Sequence, residues 1–178
     1  MKKFFKLFLF YVALSFVALF NNIITAKEVK AVETTENIEH NIDQVVEVFN
    51  HGQTSLYVTQ SDVELLAKLV YAESRGEPYE GKVAVASVVL NRVLDPHFPG
   101  SIQGVIFQPK AFSCVKNGCI KASPDDNCYA AVYEALRGVD PTNEALYFYN
   151  PSISTCTWMN SRTKQNVKQI GHHVFFRC

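Results

Sequence analysis

The chain has 178 residues, with 17 Lys and Arg balanced by 17 Asp and Glu, and a hydrophobic fraction of 48%. These values exclude a disordered, collagen-like or coiled-coil protein and fit one globular domain. With no basic face, the chain gives no reason to expect a nucleic-acid partner.

Met1-Lys2-Lys3 and Lys6 precede an apolar run from Leu7 to Phe20, which is followed by Asn21 to Ala26. That is the layout of a secretory signal cleaved after Ala26, so residues 1–26 read as a signal peptide and the protein as exported. The run is shorter than the ~20 residues a spanning helix needs, so no stable membrane association is expected after cleavage. Residues 27–59 hold six acidic residues and two lysines and read as a solvated acidic linker. Within it, Ile42 to Phe49 has the pattern of a short amphipathic helix.

The catalytic-domain candidate is residues 60–178, roughly 120 residues, enough to bury one core. Ser61 and Glu64 have capping-box spacing, which starts a first helix there. At about 100° per residue, Val63, Leu66, Val70 and Glu73 fall within an arc of about 80°. The core stripe therefore ends on a carboxyl group, where burial disfavours the charged form. A salt bridge to Arg75 or Arg92 is the structural explanation. The functional one is a general acid at a mouth between two helices, because Gly76 opens the chain and Glu77-Pro78 starts a second helix.

That second helix, 79–93, is apolar nearly all round and reads as central and buried. Asp95-Pro96 and Phe98-Pro99-Gly100 force a loop, and 101–107 is a short helical turn. Ser123-Pro124 starts a third helix with Tyr129, Val132, Tyr133 and Leu136 on one face and Gly138 past its end. Residues 145–149 and 170–176 read as short strands. The expected fold is a helix-dominated α+β domain with a small β element.

The five cysteines, Cys114, Cys119, Cys128, Cys156 and Cys178, all lie in the C-terminal half of the chain. Export favours one or two disulfides, with the pairing open. No metal is expected, because there is no Cys-x-x-Cys pair and His172 and His173, adjacent on one strand, would point to opposite faces. No cofactor is implied.

The blocks "YAESRGEPYEGKVAVASVVLNRV", "FPGSIQGVIFQPKAFSCV", "ALYFYNP" and "IGHHVF" resemble the catalytic domain of the SleB/CwlJ-type cell wall hydrolases over most of 62–177. The resemblance implies a lysozyme-like or lytic-transglycosylase-like domain acting on peptidoglycan glycan strands. It also implies that Glu73 is the essential acid, the residue that helix geometry singles out independently.

A hydrolytic glycosidase generally uses two carboxyl groups across the bond, whereas a lytic transglycosylase needs only one. Glu80 is the candidate for a supporting role, although an acid in a first helical turn is more often a cap. For the sugars, Tyr147, Tyr149, Phe112, Ser113 and Trp158 are candidate contacts, with Tyr149 preferred. Strand alternation puts Tyr147 and Tyr149 on one face and Phe148 on the other. Three other functions stay open. They are a hydrolytic muramidase, a peptidoglycan amidase or peptidase with Cys114 as nucleophile and His172 or His173 as base, and a non-catalytic wall-binding protein.

Overall fold

The computed structural model describes residues 45–51, 54–155, 159 and 161–178. The stretch read as a signal peptide and most of the acidic linker lie outside the described residues. Among the described residues, no helix is long and apolar enough to cross a membrane.

Strands β1 (Val45–His51) and β2 (Thr54–Thr59) form an antiparallel hairpin, with Val46 opposite Val58 and a register shift between Val48 and Asn50. This corrects the helix expected over 42–49. The spacing of Val45, Val46, Val48 and Phe49 fits one helical face, but the β-branched run pairs with Thr54–Thr59 instead.

Helix α1 (Gln60–Glu73) follows β2 directly. Its cap is Thr59, two residues before the expected Ser61. The Thr59 hydroxyl accepts from the Asp62 backbone N–H at 3.2 Å, and the Asp62 carboxylate accepts from the Thr59 N–H at 3.0 Å. Thr59→Ala is expected to lower stability by about 1 kcal/mol through loss of this reciprocal cap. An unchanged midpoint in chemical denaturation would show that the hairpin alone holds the helix start.

Val63, Leu66, Ala67, Leu69 and Val70 of α1 are buried. Gly76, at φ +85°, turns the chain, and Pro78 caps α2 (Tyr79–Leu94). As its composition implies, α2 is buried on nearly every side and packs against α1, α3 (Ile102–Ile106) and α4 (Asp126–Leu136). The Asp125 carboxylate caps α4 by accepting from the Cys128 N–H at 2.9 Å. The buried stripe of α4 runs through Cys128, Ala131, Val132, Ala135 and Leu136, leaving Tyr129 and Tyr133 half-buried beside it.

The small sheet has the order β3 (Tyr147–Tyr149), β5 (His173–Arg177), β4 (Gln165–Ile170), with both pairings antiparallel. The continuous strand expected over 170–176 is therefore two strands joined at Gly171-His172. Phe175 and Phe176, on opposite faces of the central strand, are both fully buried.

Candidate active site

A cleft of about 640 Å³ opens where the C-terminal end of α1, the loop after α3 and the ends of β3 and β5 converge. Glu73, the last residue of α1, lies on its wall. One carboxyl oxygen of Glu73, Oε1, is sealed from solvent and has no hydrogen-bond partner. Neither arginine considered as its partner pairs with it. Arg75 lies over the Tyr71 ring at 6.0 Å, and Arg92 is held elsewhere. The structural explanation for a carboxyl at the end of the core stripe is thus absent among the described residues.

Arg92 is 6% exposed, yet it forms part of the cleft wall. Its Nε–H donates to the Leu146 carbonyl at 2.7 Å, and its guanidinium lies 5.2 Å from the ring centre of Phe112, 5.3 Å from Phe98 and 5.5 Å from Tyr147. Burial lowers its pKa to about 10, against the opposing effect of Tyr147, so it stays cationic at neutral pH. Cation–π contacts of this kind fasten the Phe112 side of the cleft to the start of β3.

Two carboxylates line the cleft, Glu73 and Glu77. They differ sharply in surroundings. The Glu77 side chain is 6% exposed, and both of its oxygens engage His172: Oε2 accepts from the backbone N–H at 2.9 Å, and Oε1 lies 3.1 Å from Nδ1. Glu77 therefore ties the loop after α1 to the β4–β5 turn.

Glu80, the expected supporting acid, is not on the cleft wall. One helical turn onward, it is exposed and 3.9 Å from Lys168 Nζ across the surface. Tyr147 does not line the cleft either. It stacks on Phe176 at 5.6 Å and meets Phe98 at 6.1 Å, on the side of the sheet that it shares with Tyr149. Tyr149, Phe112 and Ser113 do line the cleft, and Phe148 joins them from the opposite strand face because the cleft wraps the end of β3. Trp158 lies outside the described residues.

The cysteines correct another expectation. Cys114, Cys119, Cys128 and Cys178 are all free, so no bridge joins any two of them. Cys128 is buried in the core on α4, while Cys114 stands on the cleft wall. Burial and then the neighbouring Glu73 carboxyl push the Cys114 thiol up to about 12. Only about one molecule in 10⁴ would carry the thiolate at pH 8, which is opposite to what a nucleophilic cysteine requires. Cys114→Ala is accordingly expected to keep most of the lytic activity. Loss of activity in that variant, together with rapid alkylation of the wild-type thiol near neutral pH, would restore the thiol chemistry.

The residues missed in sequence were Glu77 and His173 in their actual roles. His173 is 8% exposed and lines the cleft beside Phe148, whose ring centre is 5.3 Å away. Its place at the start of β5 depends on the turn at Gly171-His172, which no local signal short of that glycine marked. A second hollow, of about 140 Å³, lies among β2, α2 and α4 and is mainly apolar. Its Asp140 is engaged by the Thr142 hydroxyl and backbone, the Asn91 amide and the Glu144 N–H.

The domain is helix-dominated α+β, with the carboxyl group that ends its first helix on the wall of a cleft, as expected of a wall-lytic domain. A model of the family described as Cell Wall Hydrolase matches residues 76–176, and the chain belongs to that family. Over 117 residues the chain is 48% identical to the spore cortex-lytic enzymes of Bacillus cereus and of Bacillus subtilis strain 168. The aligned part is 66% of this chain but 44% and 38% of those proteins, so the chain spans less than half the length of these curated relatives. It is also 31% identical over 126 residues to the cell wall hydrolase CwlJ of Bacillus subtilis strain 168, covering 67% of this chain and 87% of that one.

Two solved structures are similar. The catalytic domain of the Bacillus cereus SleB protein superposes with a TM-score of 0.60 at 47% identity, over 67% of this chain and 91% of that one. The catalytic domain of the germination-specific lytic transglycosylase SleB from Bacillus anthracis superposes with a TM-score of 0.62 at 43% identity, over 72% and 100%.

Proposed function

We propose that this chain is an exported enzyme that cleaves peptidoglycan glycan strands after N-acetylmuramic acid, or its lactam, by lytic transglycosylation with Glu73 as acid and then base. The observation that carries the reading is the contrast between the two cleft carboxyl groups. Glu77 is held by His172 through both oxygens, while Glu73 has no partner among the described residues at Oε1. Glu73, beside the neutral Cys114 thiol, is the cleft acid without a charged partner among the described residues, which suits a reaction in which no external water has to be activated.

In the first half of the reaction the protonated Glu73 gives its proton to the glycosidic oxygen, the bond from that oxygen to C1 breaks, and the next sugar leaves with a free hydroxyl. In the second half the Glu73 carboxylate takes the proton of the muramic acid C6 hydroxyl as O6 bonds to C1. The acid is regenerated and no water is consumed.

Tyr149 and Ser113 are the proposed sugar contacts on the described wall, the first by stacking and the second by hydrogen bonding. Trp158 is proposed from sequence alone. Export rests on the N-terminal apolar segment and fits a substrate outside the cytoplasm. The relatives named as cortex-lytic and as a lytic transglycosylase support the same chemistry.

Mass analysis of soluble fragments from purified peptidoglycan tests the class of bond cut. Muropeptides with intact stems are expected. Free stem peptides would point to an amidase or peptidase, and no release at all to a binding protein.

A further inference from the structure

His173 has no part in the acid–base cycle proposed above, yet its ring is set in an unusual way for a buried histidine. Nδ1 is sealed from solvent with no hydrogen-bond partner, whereas Nε2 is not sealed. No other described group bonds the ring. His173 forms part of the cleft wall, and Nε2 is the one ring nitrogen left unsealed.

The surroundings decide where the proton sits. The ring packs edge-on to Phe148 at 5.3 Å and Phe175 at 6.1 Å, which fixes its plane and offers Nδ1 no acceptor. Placing a hydrogen on Nδ1 would leave an orphaned donor in the interior, and buried orphan N–H groups are rarer than under-satisfied acceptors. The remaining neutral form carries its hydrogen on Nε2. Charge is also disfavoured: burial lowers the pKa of the ring, opposed by Glu77 and then Glu73 and aided by His172. Glu77 is itself already engaged by His172.

We propose that His173 binds the glycan strand as a neutral hydrogen-bond donor, its Nε2–H meeting an oxygen acceptor, such as an acetamido carbonyl, on the sugar seated beside Glu73. This rests on the glycan-cleaving reading and assigns one more contact within that site. A donor of this kind orients the sugar against the acid without competing for the proton in transfer. It also differs from a histidine base, whose accepting nitrogen would have to face the cleft unprotonated.

The test uses full-length protein carrying Glu73→Gln, so that a bound strand stays uncut, with a tetrasaccharide of alternating N-acetylglucosamine and N-acetylmuramic acid as the probe. Nitrogen NMR of the labelled histidine rings should show His173 neutral and protonated at Nε2 near pH 7, with the Nε2 resonance moving on addition of the tetrasaccharide. In the wild-type background, His173→Phe should lower kcat/KM for cleavage by about tenfold, and His173→Gln, whose amide nitrogen can reach a similar point, should recover much of it. Overturning results are a ring protonated at Nδ1, a charged ring at neutral pH, or a resonance unmoved by a tetrasaccharide that demonstrably binds. If the tetrasaccharide does not bind and wild-type protein leaves glycan strands intact, the glycan reading fails, and this proposal with it.

Discussion

Glu73→Gln is expected to lower glycan cleavage by about 10²- to 10⁴-fold, the range a positioned general acid supplies, while the protein stays folded. The amide keeps the shape of the carboxyl but has no proton to give to the glycosidic oxygen. Its site argues that the fold will tolerate the change. Glu73 makes no ion pair among the described residues that the substitution would break, and the neighbouring α1 stripe of Val63, Leu66 and Val70 is fully buried without it. Circular dichroism and thermal melting should match wild type. Wild-type loss of wall turbidity from this variant would remove Glu73 from the chemistry.

The second large effect is expected at Gly171, and here stability falls first. The residue has φ +57°, and a Cβ placed on it would lie 2.1 Å from Glu77 Oε2 and 2.8 Å from Pro78 Cδ. Gly171→Ala therefore combines a left-handed backbone that costs a non-glycine residue about 1–2 kcal/mol with a collision against a rigid turn. Glu77 would have to give up its hold on the His172 N–H, loosening the loop that follows Glu73. A lower melting temperature and reduced cleavage should appear together. Glu77→Gln is the informative companion, because it keeps an acceptor for the His172 N–H and should be milder in both measurements. A Gly171→Ala protein that melts like wild type would show that the Glu77–His172 contact does not brace the cleft.

The sequence carried the helical part of this account well, for physical reasons that particular residues make plain. The α1 stripe is legible because Val63, Leu66 and Val70 repeat at helical spacing, and Glu73 stands out only because it continues that stripe. The apolar run on α2 has no polar face, and Pro78 marks its start. Both features are local. The β element was harder. The edge strand Gln165–Ile170 is mostly polar and exposed, so neither burial nor alternation announced it. The Thr59 cap could not be preferred over Ser61 without knowing that a strand ends at Thr59.

The cleft itself is assembled from segments distant in sequence, and that is where sequence reasoning was weakest. The contact that separates Glu77 from Glu73 in role is made with His172, 95 residues away. Glu80 is the supporting acid expected from sequence, yet Glu77 lies just before the same helix, and only the packing of the β4–β5 turn distinguishes them. Tyr147 and Tyr149 do share a strand face, as alternation requires, but that face is covered at Tyr147 by Phe98 and Phe176 and reaches the cleft only at Tyr149. The four free cysteines show that a cysteine-rich segment does not by itself supply the pairs that an expectation of disulfides requires.

The most direct test of single-acid transglycosylation is the end group left on the strands that the wild-type protein releases from purified peptidoglycan. Chains cut by the C6 hydroxyl should end in a 1,6-anhydro-muramic residue, about 18 Da lighter than the hydrolysed product by one water, and should resist borohydride because no reducing carbon remains. Fragments ending only in reducible muramic acid would contradict the account, since a water would then have been activated and Glu73 could not be the sole acting carboxyl group.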